Sequence, residues 1–138
     1  DMYNYGEYIK KLLYSLDKKG IIIINEDFLV ESLPVNTLKY TTVTYGFNSK
    51  AEVTTSSISD TLLGKEFILY QQKLIKTING NIISPQEYRI NIDKTNVEIY
   101  TVLSAVTFVL VCGIDLKYNI PLTTVFEDIQ YLLQHEFY

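Results

Sequence analysis

Few side chains in this sequence are placed to do covalent chemistry. Gly64-Lys65 looks like the end of a phosphate-binding loop, in which two glycines let backbone amides approach the phosphates and a hydroxyl follows the lysine. Here Glu66 stands in the hydroxyl position and Ser59 where the first glycine belongs, so the stretch reads as a turn before a strand. His135-Glu136 lacks the second histidine that a zinc motif needs, because His135 is the single histidine of the chain. The same residue is the one base available to a serine or cysteine nucleophile. Cys112, the single cysteine, lies in an apolar run where a thiol behaves as a small hydrophobe. No spacing of glycines argues for dinucleotide binding.

Composition narrows the classes further. The chain has 138 residues, enough for one domain with a real core, and its apolar fraction of 47% argues against disorder. Twelve basic and sixteen acidic residues give a net charge of -4. The basic residues do not cluster, so nucleic acid and anionic membrane surfaces are not expected partners. One cysteine cannot form an internal disulfide, which fits a reducing cytoplasm. The opening Asp1-Met2-Tyr3 reads as the interior of a longer protein. Twelve tyrosines and no tryptophan are taken as coding bias.

The elements that must position any site follow from periodicity. Tyr8, Ile9, Leu12, Leu13 and Leu16 recur at helical spacing, which predicts a helix over about Glu7 to Lys18, ended by Gly20. Ile21 to Ile24, a continuous β-branched run before Asn25, predicts a strand buried on both faces, as in a parallel sheet. Glu26 to Leu33 reads as a short helical turn stopped by Pro34, and Thr41 to Tyr45 as a second strand closed by Gly46. Together these make one right-handed crossover unit. Ala51 to Ser59 is an extended Thr/Ser-rich stretch. Lys65 to Ile78 and Asn81 to Ile92 flank Asn79-Gly80, a two-residue hairpin signal, so the middle of the chain reads as an antiparallel meander.

The longest apolar segment then predicts a helix from about Asn96 to Cys112, stopped at Gly113. Its run from Ile99 to Ile114 is about sixteen residues, below the roughly 20 needed to span a bilayer, and it reads as a core helix. A last helix starts near Pro121, with Leu122, Val125, Phe126, Ile129, Leu132 and Leu133 as its buried stripe.

The order of these segments resembles the second half of the central ATP-binding domain of the Mur ligase family, the amide-forming ligases of peptidoglycan precursor synthesis. Those enzymes are related to folylpolyglutamate synthase and cyanophycin synthetase. The likeness is carried by Tyr8-Ile9-Lys10-Lys11-Leu12-Leu13-Tyr14 before Ile21-Ile22-Ile23-Ile24-Asn25-Glu26-Asp27, then Val43-Thr44-Tyr45-Gly46 and Ala51-Glu52-Val53. It continues in Thr95-Asn96-Val97-Glu98-Ile99-Tyr100-Thr101, Gly113-Ile114-Asp115 and Leu133-Gln134-His135-Glu136-Phe137-Tyr138. No single match is specific; their agreement in order and spacing makes the resemblance.

The resemblance implies an α/β fold, a partial Mur-ligase-like central domain. Short parallel strands with helices would stand beside a small antiparallel three-stranded meander, followed by two C-terminal helices. It implies ATP and magnesium as family cofactors, with Lys10 or Lys11 matching the lysine that the family carbamylates to hold magnesium. Asn25, Asp27, Glu98, Thr101 and Glu136 match positions around the nucleotide. In the family the phosphate-binding loop and the magnesium-binding glutamate lie upstream of the matching region. Glu98 and Thr101 replace asparagines near the adenine, and a carboxylate offers no amide donors. Glu136 replaces an arginine that meets the phosphates, which reverses the charge.

Two functions are therefore carried forward, and a chance likeness of an unrelated α+β domain is the third. The first is a fragment of a cytoplasmic ATP-dependent carboxylate–amine ligase of cell-wall synthesis, inactive alone, whose partners are its own missing N- and C-terminal domains. The second is a degenerate ligase-like domain that serves as a non-catalytic scaffold or partner-binding module. Under either, the chain alone binds no ATP, and an exposed sheet edge would favour self-association. Parallel, adjacent strands at Ile21–Asn25 and Thr41–Tyr45 with the meander beside them are expected; an all-antiparallel sheet excludes the family.

Overall fold

The computed structural model describes Lys11, Ser15, residues 20–28 and residues 40–116. Lys11 and Ser15 are helical and exposed. The rest of the predicted first helix, residues 29–39 of the crossover and the helix predicted from Pro121 lie outside the described residues.

Four β-branched residues and Asn25 form β1, Ile21–Asn25, and Thr41–Tyr45 forms β2. The two run parallel in unbroken register from Ile21 against Thr41 to Asn25 against Tyr45. Every residue of β1 is half-buried, so the expectation of a strand buried on both faces is corrected. Among the described residues β1 is the end strand of its sheet, with a neighbouring strand on one side alone. After Asn25 the chain makes a 3-10 turn over Glu26–Phe28, the described part of the helix expected from Glu26 to Leu33.

The meander begins with β3, Val53–Asp60, joined to β2 by a single parallel pair, Tyr45 with Val53. Strand β4, Lys65–Gln71, pairs antiparallel with β3, and β7, Gln86–Ile92, pairs antiparallel with β4. The result is a mixed five-stranded sheet in the order β1-β2-β3-β4-β7. Gly64-Lys65 is a turn leading into β4: the Thr61 N–H donates to Gly64 O, and the Gly64 N–H to Thr61 Oγ1.

The expected long hairpin arms are interrupted. A separate two-stranded ribbon, β5 at Ile75–Lys76 and β6 at Ile82–Ile83, sits between β4 and β7. Its loop is Ile78-Asn79-Gly80, three residues rather than two, because buried Thr77 closes it with both backbone and side chain. The Thr77 N–H donates to Asn81 O at 2.8 Å, and the Asn81 N–H to Thr77 Oγ1 at 3.1 Å. The Ile78 N–H donates to Val111 O, tying the ribbon to the end of the long helix.

That helix, α1, spans Ile99–Val111. It is apolar nearly all round, and the exposed positions are Thr101 and Phe108, with Ser104 half-buried between them on one narrow stripe. Its sheet-facing residues Val102, Leu103, Val106 and Leu110 pack with Val43, Val53, Phe67, Leu69, Ile90 and Ile92. Alternation decides what the strands supply. Tyr88, Ile90 and Ile92 point into this core while Glu87, Arg89 and Asn91 are exposed on the other face. Thr107, fully buried on α1, donates its hydroxyl to Leu103 O at 2.7 Å and leaves no polar group unpaired.

The helix ends in a Schellman motif. The Ile114 N–H donates to Val109 O and the Gly113 N–H to Leu110 O, with Gly113 at φ +80. Cys112 is the C-cap and is half-buried rather than buried. No helix among the described residues is long and apolar enough to cross a membrane.

Candidate functional site

Parallel pairing brings the ends of β1 and β2 to the same edge of the sheet, and α1 starts there. Beyond the carboxyl ends of parallel strands is where open α/β sheets bind ligands. Four of the sequence-predicted residues meet at this edge: Asn25, Asp27, Glu98 and Thr101.

Asn25 ends β1, and its Oδ1 accepts the Asp27 N–H at 3.0 Å, which turns the chain out of the sheet. Asp27 thereby faces the loop that follows β2. Its Oδ2 accepts the Phe47 N–H at 2.7 Å, and its Oδ1 accepts the Asn48 N–H at 2.9 Å. The hydroxyl of Tyr100, in the first turn of α1, also donates to Asp27 Oδ2 at 2.9 Å. Gly46 makes the approach possible. It has φ +152, and a Cβ there would fall 2.8 to 2.9 Å from the carboxyl atoms of Asp27. Phe28 and Phe47 pack on the Tyr100 ring at centroid distances of 5.2 and 5.5 Å, the second edge-on.

Partial burial pushes the Asp27 carboxyl up, but the Phe47 and Asn48 amides and the Tyr100 hydroxyl outweigh it and hold it below the ordinary value. The same bond to Asp27 pushes the Tyr100 phenol up. Among the described residues no group of three or more His, Cys, Asp or Glu side chains is gathered to hold a metal ion. No family model and no curated protein matches this chain.

Glu98 is the N-cap of α1. Its Oε1 accepts the Tyr100 N–H at 3.2 Å, and its Oε2 accepts the Thr101 N–H at 3.1 Å and the Thr101 hydroxyl at 3.2 Å. A carboxylate there satisfies amides that the helix cannot pair and complements the positive end of its dipole. Thr101 is thus bound to its own cap. The charge of Glu98 also reaches Tyr45, whose phenol is raised first by burial and then by that charge.

Of the remaining site residues, only Lys11 is among the described residues. Lys11 is exposed on its helix, and Lys10 and Glu136 lie outside the described residues.

Sequence reasoning missed Tyr100, Gly46 and Phe47 as site members, since Tyr100 and Gly46 entered only as motif positions. A glycine directly after a strand that follows Asn-x-Asp was the available signal. It also missed Glu52, which bridges the two halves of the sheet. Glu52 Oε2 accepts the Thr44 N–H at 3.3 Å, while the Glu52 N–H donates to Thr44 Oγ1 at 3.1 Å. Burial raises its carboxyl, partly offset by the Thr44 amide and by Lys73, with Glu26 adding repulsion.

A second polar group is buried elsewhere, under β4. The Gln71 amide donates to Lys73 O and Ile83 O, and its Oε1 accepts the Tyr88 hydroxyl at 2.7 Å. Burial, and then Asp115, push the Tyr88 phenol up to about 12. This network is fully satisfied and serves to anchor β4, β7 and the ribbon to one another.

Proposed function

We propose that this chain is a degenerate ligase-like α/β module that works as a non-catalytic, partner-binding scaffold. The observation that carries the reading is the use of the polar groups at the strand ends. Asp27 accepts two amides and a phenol from its own chain, and Glu98 caps its own helix. A nucleotide site needs such groups free to face a ligand, and here they hold the fold together. Apolar side chains that such a module would offer to a partner stand at the turn between β3 and β4. Leu62 and Leu63 there are 105% and 82% exposed.

The second reading is a fragment of a Mur-type ATP-dependent carboxylate–amine ligase of peptidoglycan precursor synthesis. The parallel, adjacent β1 and β2 with the meander beside them favour it. In that chemistry ATP phosphorylates a carboxylate and an amine attacks the acyl phosphate, with magnesium and cationic side chains stabilising the developing charge.

Calorimetric titration of the native gene product with ATP and magnesium decides between them. The scaffold reading expects no heat of binding, and micromolar affinity overturns it in favour of the ligase. Peptide sequencing upstream of Asp1 is the complementary measurement, because a Gly-x-x-Gly-Lys-Thr/Ser loop there supports the ligase.

A further inference from the structure

The Asp27 carboxylate is held as a bound ligand would be. Two successive amides, Phe47 and Asn48, each meet one of its oxygens at 2.7 and 2.9 Å, and the Tyr100 hydroxyl adds a third donor at 2.9 Å. The bare Cα of Gly46 provides the floor, since a Cβ there would sit within 2.9 Å of the carboxyl carbon and both oxygens. Tyr100, with Phe28 and Phe47 against its ring, walls the position. Phe28 and Phe47 are 66% and 50% exposed, so this wall opens to solvent. Successive backbone N–H groups turned to one side make an anion-binding concavity in many proteins.

We propose that Gly46, Phe47, Asn48 and Tyr100 form a carboxylate-binding cradle that the chain keeps filled with its own Asp27, and that an exogenous carboxylate takes the place when Asp27 is withdrawn. The donor set selects a carboxylate over phosphate. Among the described residues it supplies three hydrogen-bond donors and no cation, and the neighbouring Glu98 charge, felt at Tyr100, repels a multiply charged anion. The proposal stands apart from the question of ancestry, because it depends on this loop alone.

The test is thermal unfolding of Asp27→Ala with formate, which replaces the missing carboxylate while leaving the Cβ in place. The variant's midpoint is expected to rise saturably, by roughly 3–5 °C at several times the dissociation constant, whereas the native chain gains no such shift. Inorganic phosphate and chloride at matched ionic strength are the controls. Equal responses of variant and native, or the same rise with chloride, overturn the cradle.

Tyr100→Phe, which removes one donor and keeps the carboxylate, covers the case in which Asp27→Ala does not fold. By NMR, the Phe47 and Asn48 amide resonances of the native chain should follow a carboxyl titration, and that midpoint should move up in Tyr100→Phe. Amide resonances that ignore the titration, or a midpoint that stays fixed, overturn the proposal.

Discussion

At the scale of single residues, polar side chains that invite a functional reading turn out to be structural partners. Asp27 is the clearest case, because its carboxylate is the joint between the end of β1, the loop after β2 and the start of α1. Its charged form is favoured in the fold, so its contribution is present above the ordinary carboxyl value of 3.8 and is lost as pH falls through the lower folded value. Asp27→Asn should cost about 1 kcal/mol, below the usual range for charge-assisted bonds because Phe47 and Asn48 are exposed and solvent screens the charge. Urea unfolding at a series of acidic pH values checks this, with the native chain losing that increment on acidification and the variant lacking it.

Glu52 has the opposite sign. Its folded value lies above the ordinary 4.5, so its contribution is full below that value and is lost as pH rises through the folded one. The groups around it are Thr44 on β2, Lys73 after β4 and Glu26 after β1. Glu52→Gln should flatten this part of the stability profile. Denaturation midpoints on the acid and neutral sides of the transition would converge in the variant and differ in the native chain.

At the scale of elements, α1 is defined by both its ends and its middle. Glu98 begins it and Gly113 ends it, and between them the helix buries eight of its thirteen side chains. Glu98→Ala leaves two helix amides without their acceptor and should lower stability by about 1 kcal/mol, whereas Glu98→Gln keeps one acceptor and should lose less. Chemical denaturation of the two variants separates a cap from a nucleotide contact, because a residue that served only a nucleotide would leave stability unchanged. In the middle, Leu103 is fully buried against the sheet. Leu103→Ala should cost about 2–5 kcal/mol from lost transfer and the cavity left behind, read from the urea midpoint.

At the scale of the whole molecule, the sheet is two unequal pieces joined by a thin seam. The parallel pair β1–β2 meets the antiparallel β3–β4–β7 through one residue pair, Tyr45 with Val53, and the bond from the Gly46 N–H to Val53 O. The reciprocal contact of Thr44 with Glu52 reinforces it. What unites the pieces is α1, which packs across β1, β2 and β3 together. The two halves should therefore open as one unit. Hydrogen exchange in Leu103→Ala is expected to fall in protection in β1–β2 and in β4–β7 alike. Loss confined to one half would mean that the seam, not the helix, sets the cooperativity.

Local physics alone made much of this legible. Four consecutive isoleucines before Asn25 specify a strand, Thr41–Tyr45 is a strand by β-branching, and the apolar run to Gly113 reads as a helix by its length and its stop residue. An antiparallel meander was also readable in outline, from the extended Thr/Ser-rich stretch and the Asn79-Gly80 signal, but not its division into β4, β7 and a separate ribbon. Other features depended on contacts between distant segments. The Asn79-Gly80 hairpin became a separate ribbon because Thr77 and Ile78 find partners in Asn81 and in Val111. Half-burial of β1 goes with its place at the end of the described sheet, which its own residues do not encode. The fate of the candidate site was decided in the same way. Asn25, Asp27, Glu98 and Thr101 were visible as polar residues in suggestive order. Only the folded chain, by bringing residue 27 against residues 46 to 48 and residue 100, makes the Asp27 oxygens acceptors for its own backbone and for the Tyr100 hydroxyl.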